Sequence, residues 1–502
     1  MKKKNSRIFI LALIAGLIFA LTACSEDPAG GTGENGIVPG EAEGRQDEEE
    51  IDEGPVRPVL DLPDVDMEGR TFTFLTSNWG GEAVWSVTDI LGAEELTGEA
   101  LNDAIILRNL EIEQRFNCVI REVNFGGYGE ANSALTRSVR AGTSEFDIII
   151  LRLLNYWGLA GQGNIIDMNL LEHVNFQNPW WDQNSVENLA IAGMIFAVCN
   201  DITTMDKQAT SAIIFNKSLL ADYGLDNPYE HVRNGTWTLD VLIEMSRAVA
   251  TDLTGDGQMS PDTDRFGFMY IRDTLLSFLV GGGEKIARLD ADGVPYITLH
   301  TEGAMTWLLT IMEFFYERDV TFNSMMLPGD YNVAMDAMFQ NNQALFMGLR
   351  MGNVVALRTM PADFGILPMP KRSVEQEHYI SDVNSWTGAA LAIPATNVDF
   401  ANTGIFIEAM AEASNRLVQP AYRDVLLDGI IARDEDSLEM LEIIFNYRQF
   451  DIGAIGRFGE LRDVLWLLMD FNTNMASWVD ARIERAERDI VQNIERIIER
   501  HR

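Results

Sequence analysis

Between Thr71 and Leu151 the chain alternates short β-rich runs with helical ones, and no other stretch limits the fold as strongly. Thr71–Thr76 alternates in the manner of a strand and breaks at Ser77-Asn78-Trp79-Gly80-Gly81. Residues 100–116 place apolar groups at helical spacing and lead into a second strand, Cys118–Val123. A helix over 131–141 follows, then Phe146-Asp147-Ile148-Ile149-Ile150-Leu151, an apolar run of the kind buried on both faces. Strand, helix, strand, helix, strand is the rhythm of a parallel sheet with helices on its faces. In such sheets ligands gather beyond the carboxyl ends of the strands.

Further along, β-rich runs are expected at 195–201, 210–217, 344–348, 364–368 and 388–394, with helices at 238–250, 275–279 and 301–317. Thr238 is the expected cap of its helix. The last third reads as helical and closes on an amphipathic helix with Trp478, Ile483, Ile490, Ile494 and Ile497 on one stripe. No internal repeat of fixed period is visible.

Charge removes several classes of function. With 76 acidic and 38 basic side chains the formal net charge is −38, which repels phosphate backbones and anionic headgroups. Nucleic-acid binding is therefore not expected. Aromatics at 9% and hydrophobics at 47% of 502 residues are enough to fill packed interiors, so overall disorder is excluded too. Three cysteines cannot make a disulfide scaffold. Cys118 and Cys199 can pair once or remain two buried thiols.

The amino terminus reads as an address. Lys2, Lys3, Lys4 and Arg7 precede an apolar run from Ile8 to Ala23, short for a membrane span that needs about 20 residues. Leu21-Thr22-Ala23-Cys24 resembles the bacterial lipobox, which implies a signal peptide over 1–23 and lipidation of Cys24. Residues 24–67, rich in Gly, Pro, Glu and Asp, are expected to form a solvated tether.

The order of segments resembles the extracellular solute-binding protein family 1, the maltose-binding-protein-like carbohydrate-binding lipoproteins of ABC importers. The matching pieces are the lipobox, the opening strand, Phe146-Asp147-Ile148-Ile149 before an aromatic loop, and Ile214-Phe215-Asn216-Lys217-Ser218-Leu219-Leu220. They continue with Gly235-Thr236-Trp237-Thr238-Leu239-Asp240 and Asp363-Phe364-Gly365-Ile366-Leu367-Pro368-Met369-Pro370-Lys371. The likeness covers roughly 68–430, and no single piece is specific.

That resemblance implies a two-lobed, type II periplasmic-binding-protein-like α/β fold with a helical C-terminal part. Lobe 1 would hold 68–200 and 375–425, and lobe 2 would hold 201–374 and 426–502. It further implies a monomer, anchored by lipid to the extracellular face of the cytoplasmic membrane. Such a protein captures an oligosaccharide by hinge closure, delivers it to permease subunits and requires no cofactor. The competing readings are a secreted glycoside hydrolase and an extracellular sensing subunit of a membrane signalling system. The resemblance places Tyr270, Arg272 and Arg350 of lobe 2 at binding positions.

A sugar presents hydroxyls and a patch of C–H groups, so its site pairs aromatic planes with polar groups. Asn78 with Trp79, Asn155 with Tyr156 and Trp157, and Asn384 with Trp386 offer that pairing, and Asp201 is the candidate carboxylate. Trp180-Trp181 is read as a structural turn, and Trp237 and Trp307 as packing. Asp252, Thr254, Asp256 and Gln258, with Gly257 at the sixth position, match the first half of an EF-hand-like calcium loop, and Asp262 and Asp264 flank its twelfth position. Thr263 stands where the twelfth-position carboxylate belongs, so the alternative is an Asp/Gly-rich loop that caps its neighbours.

Overall fold

The structure, a computed structural model, describes residues 60–78, 88–357, 363–430, 436–471 and 474–501. The signal peptide, Cys24, most of the tether and Trp79 lie outside the described residues.

The opening rhythm folds as a parallel sheet. Strands β1 (Arg70–Ser77), β2 (Cys118–Phe125) and β3 (Ile148–Arg152) are joined by helices α1 (Ala100–Phe116) and α2 (Tyr128–Ala141). Strand β1 pairs in parallel with both neighbours, with Phe74 opposite Glu122 on one side and Ile148 on the other. A central strand flanked on both sides has both faces to bury, and β1 buries six consecutive residues from Phe72.

The second sheet is mixed and comes from the middle of the chain. It runs in the order β10 (Phe364–Leu367), β4 (Ser211–Asn216), β9 (Ala344–Arg350), β5 (Phe266–Tyr270), β8 (Thr321–Asn323). Every residue of β4, β5, β9 and β10 is buried. Helix α4 (Leu239–Val249) crosses close over β5, where a Cβ on Gly267 would stand 2.1 Å from the Ser246 carbonyl oxygen. Helices α5 (Thr274–Gly281) and α6 (Glu302–Phe315) cover the same sheet's edge, and Thr301 caps α6 by accepting from the Ala304 amide. Thr238 precedes α4 with no side-chain cap bond. The short hairpin β6 (Ala287–Leu289) and β7 (Pro295–Ile297) stands apart.

The chain then returns to the first sheet, giving two α/β lobes. After β10 it runs through β11 (Ser381–Asp382) to β12 (Ala389–Ala392), which pairs antiparallel with β3. Helix α7 (Phe400–Ile430) packs on α1, and α8 (Asp436–Asn446) packs on β10. Strand β13 (Arg448–Gln449) pairs with β11. Helix α9 (Ile452–Gly456), a 3-10 stretch (Phe458–Leu468) and α10 (Met475–His501) close the molecule. Both α9 and α10 pack on α3 (Leu153–Gln162) as well as on the β6–β7 hairpin. The expected stripe of α10 is borne out: Ile490, Ile494 and Ile497 are buried.

One expected strand is not one. Residues 195–201 make only isolated bridges, Val198 to Leu391 and Asn200 to Trp181. Their apolar side chains are buried because the segment threads the interior on its way out of the first lobe.

Buried polar groups fix the loops between elements. Arg108, fully buried, donates to the carbonyls of Asp89, Ile90 and Ile202 at 2.9, 2.7 and 3.0 Å. Glu408 of α7 accepts from the indole nitrogens of Trp180 and Trp181 at 3.0 and 2.9 Å and from Asn178 Nδ2 at 2.6 Å. The tryptophan pair is thus a structural turn held by one carboxylate. Glu408→Ala leaves those donors buried and unmatched, each costing about 1–3 kcal/mol, so a denaturant melt is expected to show a loss of about 3 kcal/mol or more. A loss under about 1 kcal/mol would refute this account of the turn. Cys118 and Cys199 are free and buried, which closes the disulfide alternative.

Candidate functional site

The carboxyl end of β3 delivers Arg152 to the mouth between the lobes. Its guanidinium lies 4.2 Å from the ring centre of Tyr128, the first residue of α2, and 5.3 Å from that of Trp386. Tyr128 meets Trp386 edge-on at 6.0 Å. Trp386 is carried on a tight turn between β11 and β12. Asn384 Oδ1 builds that turn by accepting from the amides of Trp386 and Thr387 at 2.9 and 3.1 Å. The indole is partly exposed, while Asn384 beneath it is buried.

From the other side come the ends of β5 and β9 and the 3-10 stretch. Arg462 lies 5.5 Å from the Trp386 ring, donates from Nη2 to Asp273 Oδ1 at 2.7 Å and from Nε to Ser385 Oγ at 3.2 Å. Arg272 donates to the other Asp273 oxygen at 3.3 Å and lies 3.7 Å over Trp466, whose ring is about half exposed. Arg350, the last residue of β9, adds a third guanidinium in electrostatic reach of Asp273. Burial alone would raise the Asp273 carboxyl, but Arg462, Arg350 and Arg272 outweigh it and hold it below the usual range. An aromatic plane flanked by charge-assisted donors can pack a sugar's C–H face and orient its polar groups.

An open groove continues from this mouth along α2. A space of about 750 Å³ is lined by Phe125, Tyr128, Glu130 and Arg137. It adjoins one of about 460 Å³ between α2 and α3, lined by Asn132, Arg137, Arg140, Asn155 and Gln162. Asn132 Oδ1 and Asn155 Nδ2 are buried with no hydrogen-bond partner among the described residues.

The structure brings together Trp386, Arg272 and Arg350 from the sequence-based set, with Asn384 as the support of Trp386. Asn78 is half-buried at the end of β1, and Asn155 faces the groove. Three expectations need correction. Tyr156 and Trp157 are core: the Tyr156 hydroxyl bonds to the Leu151 amide and the Ala390 carbonyl, and Trp157 packs edge-on against Phe458 at 4.8 Å. Helix α3 starts directly after β3, so its turn sends Asn155 outward and the next two residues inward. Tyr270 is 1% exposed, stacked on Phe315 at 4.1 Å, with its hydroxyl donating to the Phe315 carbonyl. Asp201 is occupied by Lys207 Nζ at 2.8 Å and Asn415 Nδ2 at 2.7 Å.

The 252–264 loop closes on itself. Asp252 accepts from the amides of Thr254, Gly255 and Gly257, Asp256 from Gln258, and Asp264 from Leu253 and Ser260. Thr254 Oγ1 bonds to Asp252, and the Asp262 amide to Ser260 Oγ. Among the described residues no group of three or more His, Cys, Asp or Glu side chains gathers as metal ligands would. The loop's carboxylates thus cap its own backbone amides.

Sequence reasoning missed Tyr128, Arg152, Asp273, Arg462 and Trp466. Tyr128 follows Gly126-Gly127 just past β2, and Arg152 follows the apolar run of β3, so the strand-end rule could have found both.

Asp382 of β11, buried behind the site, is pushed up to about 7 by burial and by Asp451, with Arg462 and Lys285 pulling the other way. Asp336 is pushed up to about 7 by burial and Asp330. From about pH 4 to pH 7 the folded protein keeps both protons while the unfolded chain has lost them, so stability falls as pH rises through that window. Asp382→Asn removes one of these raised carboxyls. The decline in melting temperature over this range is expected to become shallower, and an unaltered slope would contradict it.

No family model matches the chain, and no curated protein sequence matches it. Solved structures do resemble it. UspC of M. tuberculosis is 14% identical with a TM-score of 0.54, over 84% of this chain and 100% of that one. An ABC transporter solute-binding protein of Thermotoga lettingae bound with α-D-tagatose is 12% identical with a TM-score of 0.53, over 84% and 100%. A cyclo/maltodextrin-binding protein complexed with maltotetraose is 12% identical with a TM-score of 0.52, over 86% and 97%. At these identities the likeness is one of fold, two α/β lobes, and of fold alone.

Proposed function

We propose that the protein is the substrate-binding component of an ABC importer, capturing a carbohydrate between its lobes and handing it unaltered to membrane permease subunits. The observation that carries this reading is Trp386, a partly exposed indole on the segment between β11 and β12, with Arg152 on one side and Arg462 and Asp273 on the other. Two of the similar folds are named with a sugar bound, α-D-tagatose and maltotetraose.

On this reading a guest touching Trp386 and Arg152 together with Arg272 and Arg350 makes its full set of contacts only when the lobes are shut. Binding then shifts the population toward the closed form, and no bond in the guest is made or broken. The protein acts outside the cytoplasmic membrane, as a monomer anchored through lipidated Cys24.

A saccharide library screened by melting temperature tests this, since a ligand at about 100 times its dissociation constant adds about 2.7 kcal/mol. A stabilising saccharide recovered intact, with a more compact scattering profile, is the expected result. New reducing ends would replace import with hydrolysis. Cells expressing Cys24→Ser are expected to release the protein into the medium, and its retention would remove the anchor.

A further inference from the structure

The binding cleft is rich in guanidinium groups although the protein as a whole is strongly acidic, and this contrast bears on the ligand. The inference rests on the saccharide-binding reading above. With a formal net charge of −38, the far field repels anions, and a local concentration of cations offsets that repulsion. A neutral sugar needs no such concentration.

Two observations show it. At the mouth, Arg462 and Arg272 both bond to Asp273, so one carboxylate serves two guanidiniums, and Arg350 adds a third in its reach. Asp382 also lies in the field of Arg462, but it shares Lys285 with Asp451 and holds its proton to about pH 7. Arg152 stands beside Trp386 on the opposite wall. Independently, the groove along α2 is lined by Arg137 and Arg140, neither of which makes an ion pair with a described residue. Among the described residues Glu130 is the one carboxylate lining it. The same groove holds the unmatched acceptor of Asn132 and donor of Asn155, so its wall is built for polar contact. A planar guanidinium matches a carboxylate or a sulfate with two parallel hydrogen bonds.

We propose that the ligand is an anionic oligosaccharide, its acidic groups met by Arg272, Arg350 and Arg462 at the mouth and by Arg137 and Arg140 along α2. A uronate chain and a sulfated one present the same charge pattern, and the test separates them.

The experiment measures melting temperature and calorimetric affinity for the purified folded protein with trigalacturonate, a sulfated chondroitin oligosaccharide and neutral maltotriose, at low salt and at about 0.5 M salt. One acidic oligomer is expected to bind at least about tenfold tighter than the neutral one, with affinity falling as salt rises, and which one does so identifies the acidic group. In the double variant Arg137→Gln and Arg140→Gln, both side chains being exposed, the acidic-over-neutral preference is expected to narrow by about tenfold with a weaker salt dependence. Maltotriose binding as tightly as either acidic oligomer, or acidic binding indifferent to salt, overturns this inference and leaves saccharide capture standing. Failure of every saccharide to bind overturns the reading beneath it as well.

Discussion

Replacing Trp386 with alanine is expected to weaken saccharide binding at least about a hundredfold while the ligand-free protein melts nearly as before. An aromatic platform buries roughly 150–250 Å² against its guest, which at about 25 cal/mol per Å² exceeds the ~2.7 kcal/mol that a hundredfold represents. The ring also borders the Arg152 and Arg462 guanidiniums, whose positions relax when it is removed. The ligand-free fold tolerates the loss because the turn itself is built by Asn384 and the backbone, not by the indole. Trp386→Phe keeps a plane and is expected to retain most of the affinity. Calorimetric titration decides, and an affinity for Trp386→Ala within threefold of the parent would remove the residue from the site.

The second large effect concerns stability. Arg448 of β13 reaches Asp206 at 2.8 Å and Asp182 on its other arm, with all three side chains nearly buried. Asp206 keeps Lys207 at 3.3 Å when Arg448 is removed, whereas Asp182 keeps no cation among the described residues. Arg448→Ala therefore leaves a buried carboxylate uncompensated, for which a loss of about 3–5 kcal/mol is expected in denaturant unfolding. Adding Asp182→Asn should recover part of it, since the stranded charge is then gone and the amide oxygen can still accept from the Ser185 amide. A loss below about 1 kcal/mol for the single variant would mean that water or backbone groups already compensate the pair.

The first lobe was legible because its signals are local. Alternation in Thr71–Thr76, the continuous run ending at Leu151 and the helical spacing of 100–116 each state an element, and their order states a parallel sheet. Residues 195–201 look like a strand for the same apolar reason that buries them, yet a crossing segment is buried without a neighbour to pair along. In the site, Trp386 was accessible to reasoning from aromatics paired with polar groups at crossovers, whereas Arg272 and Arg350 came only from the family resemblance. Tyr156 and Trp157 misled because adjacency in sequence is not adjacency in space once a helix begins: one residue's rotation separates groove from core. Arg462 and Trp466 were out of reach. They arrive from a 3-10 stretch more than a hundred residues after β9, and only the folded chain brings them to Asp273 and Arg272.

The state of the two interior thiols has a practical corollary for following lobe motion. Cys118 is pushed up to about 12 by burial and by Glu113, and Cys199 is raised well above the ordinary thiol value by burial and by Asp206 and Asp182. Neither offers an appreciable thiolate to a maleimide at neutral pH. Paired fluorophores can therefore be attached through cysteines introduced at one exposed position on each lobe, Val119 and Val333 for instance, with the native sulfurs left in place. Energy transfer between such dyes would report opening and shutting in single molecules, without a background from the two interior thiols.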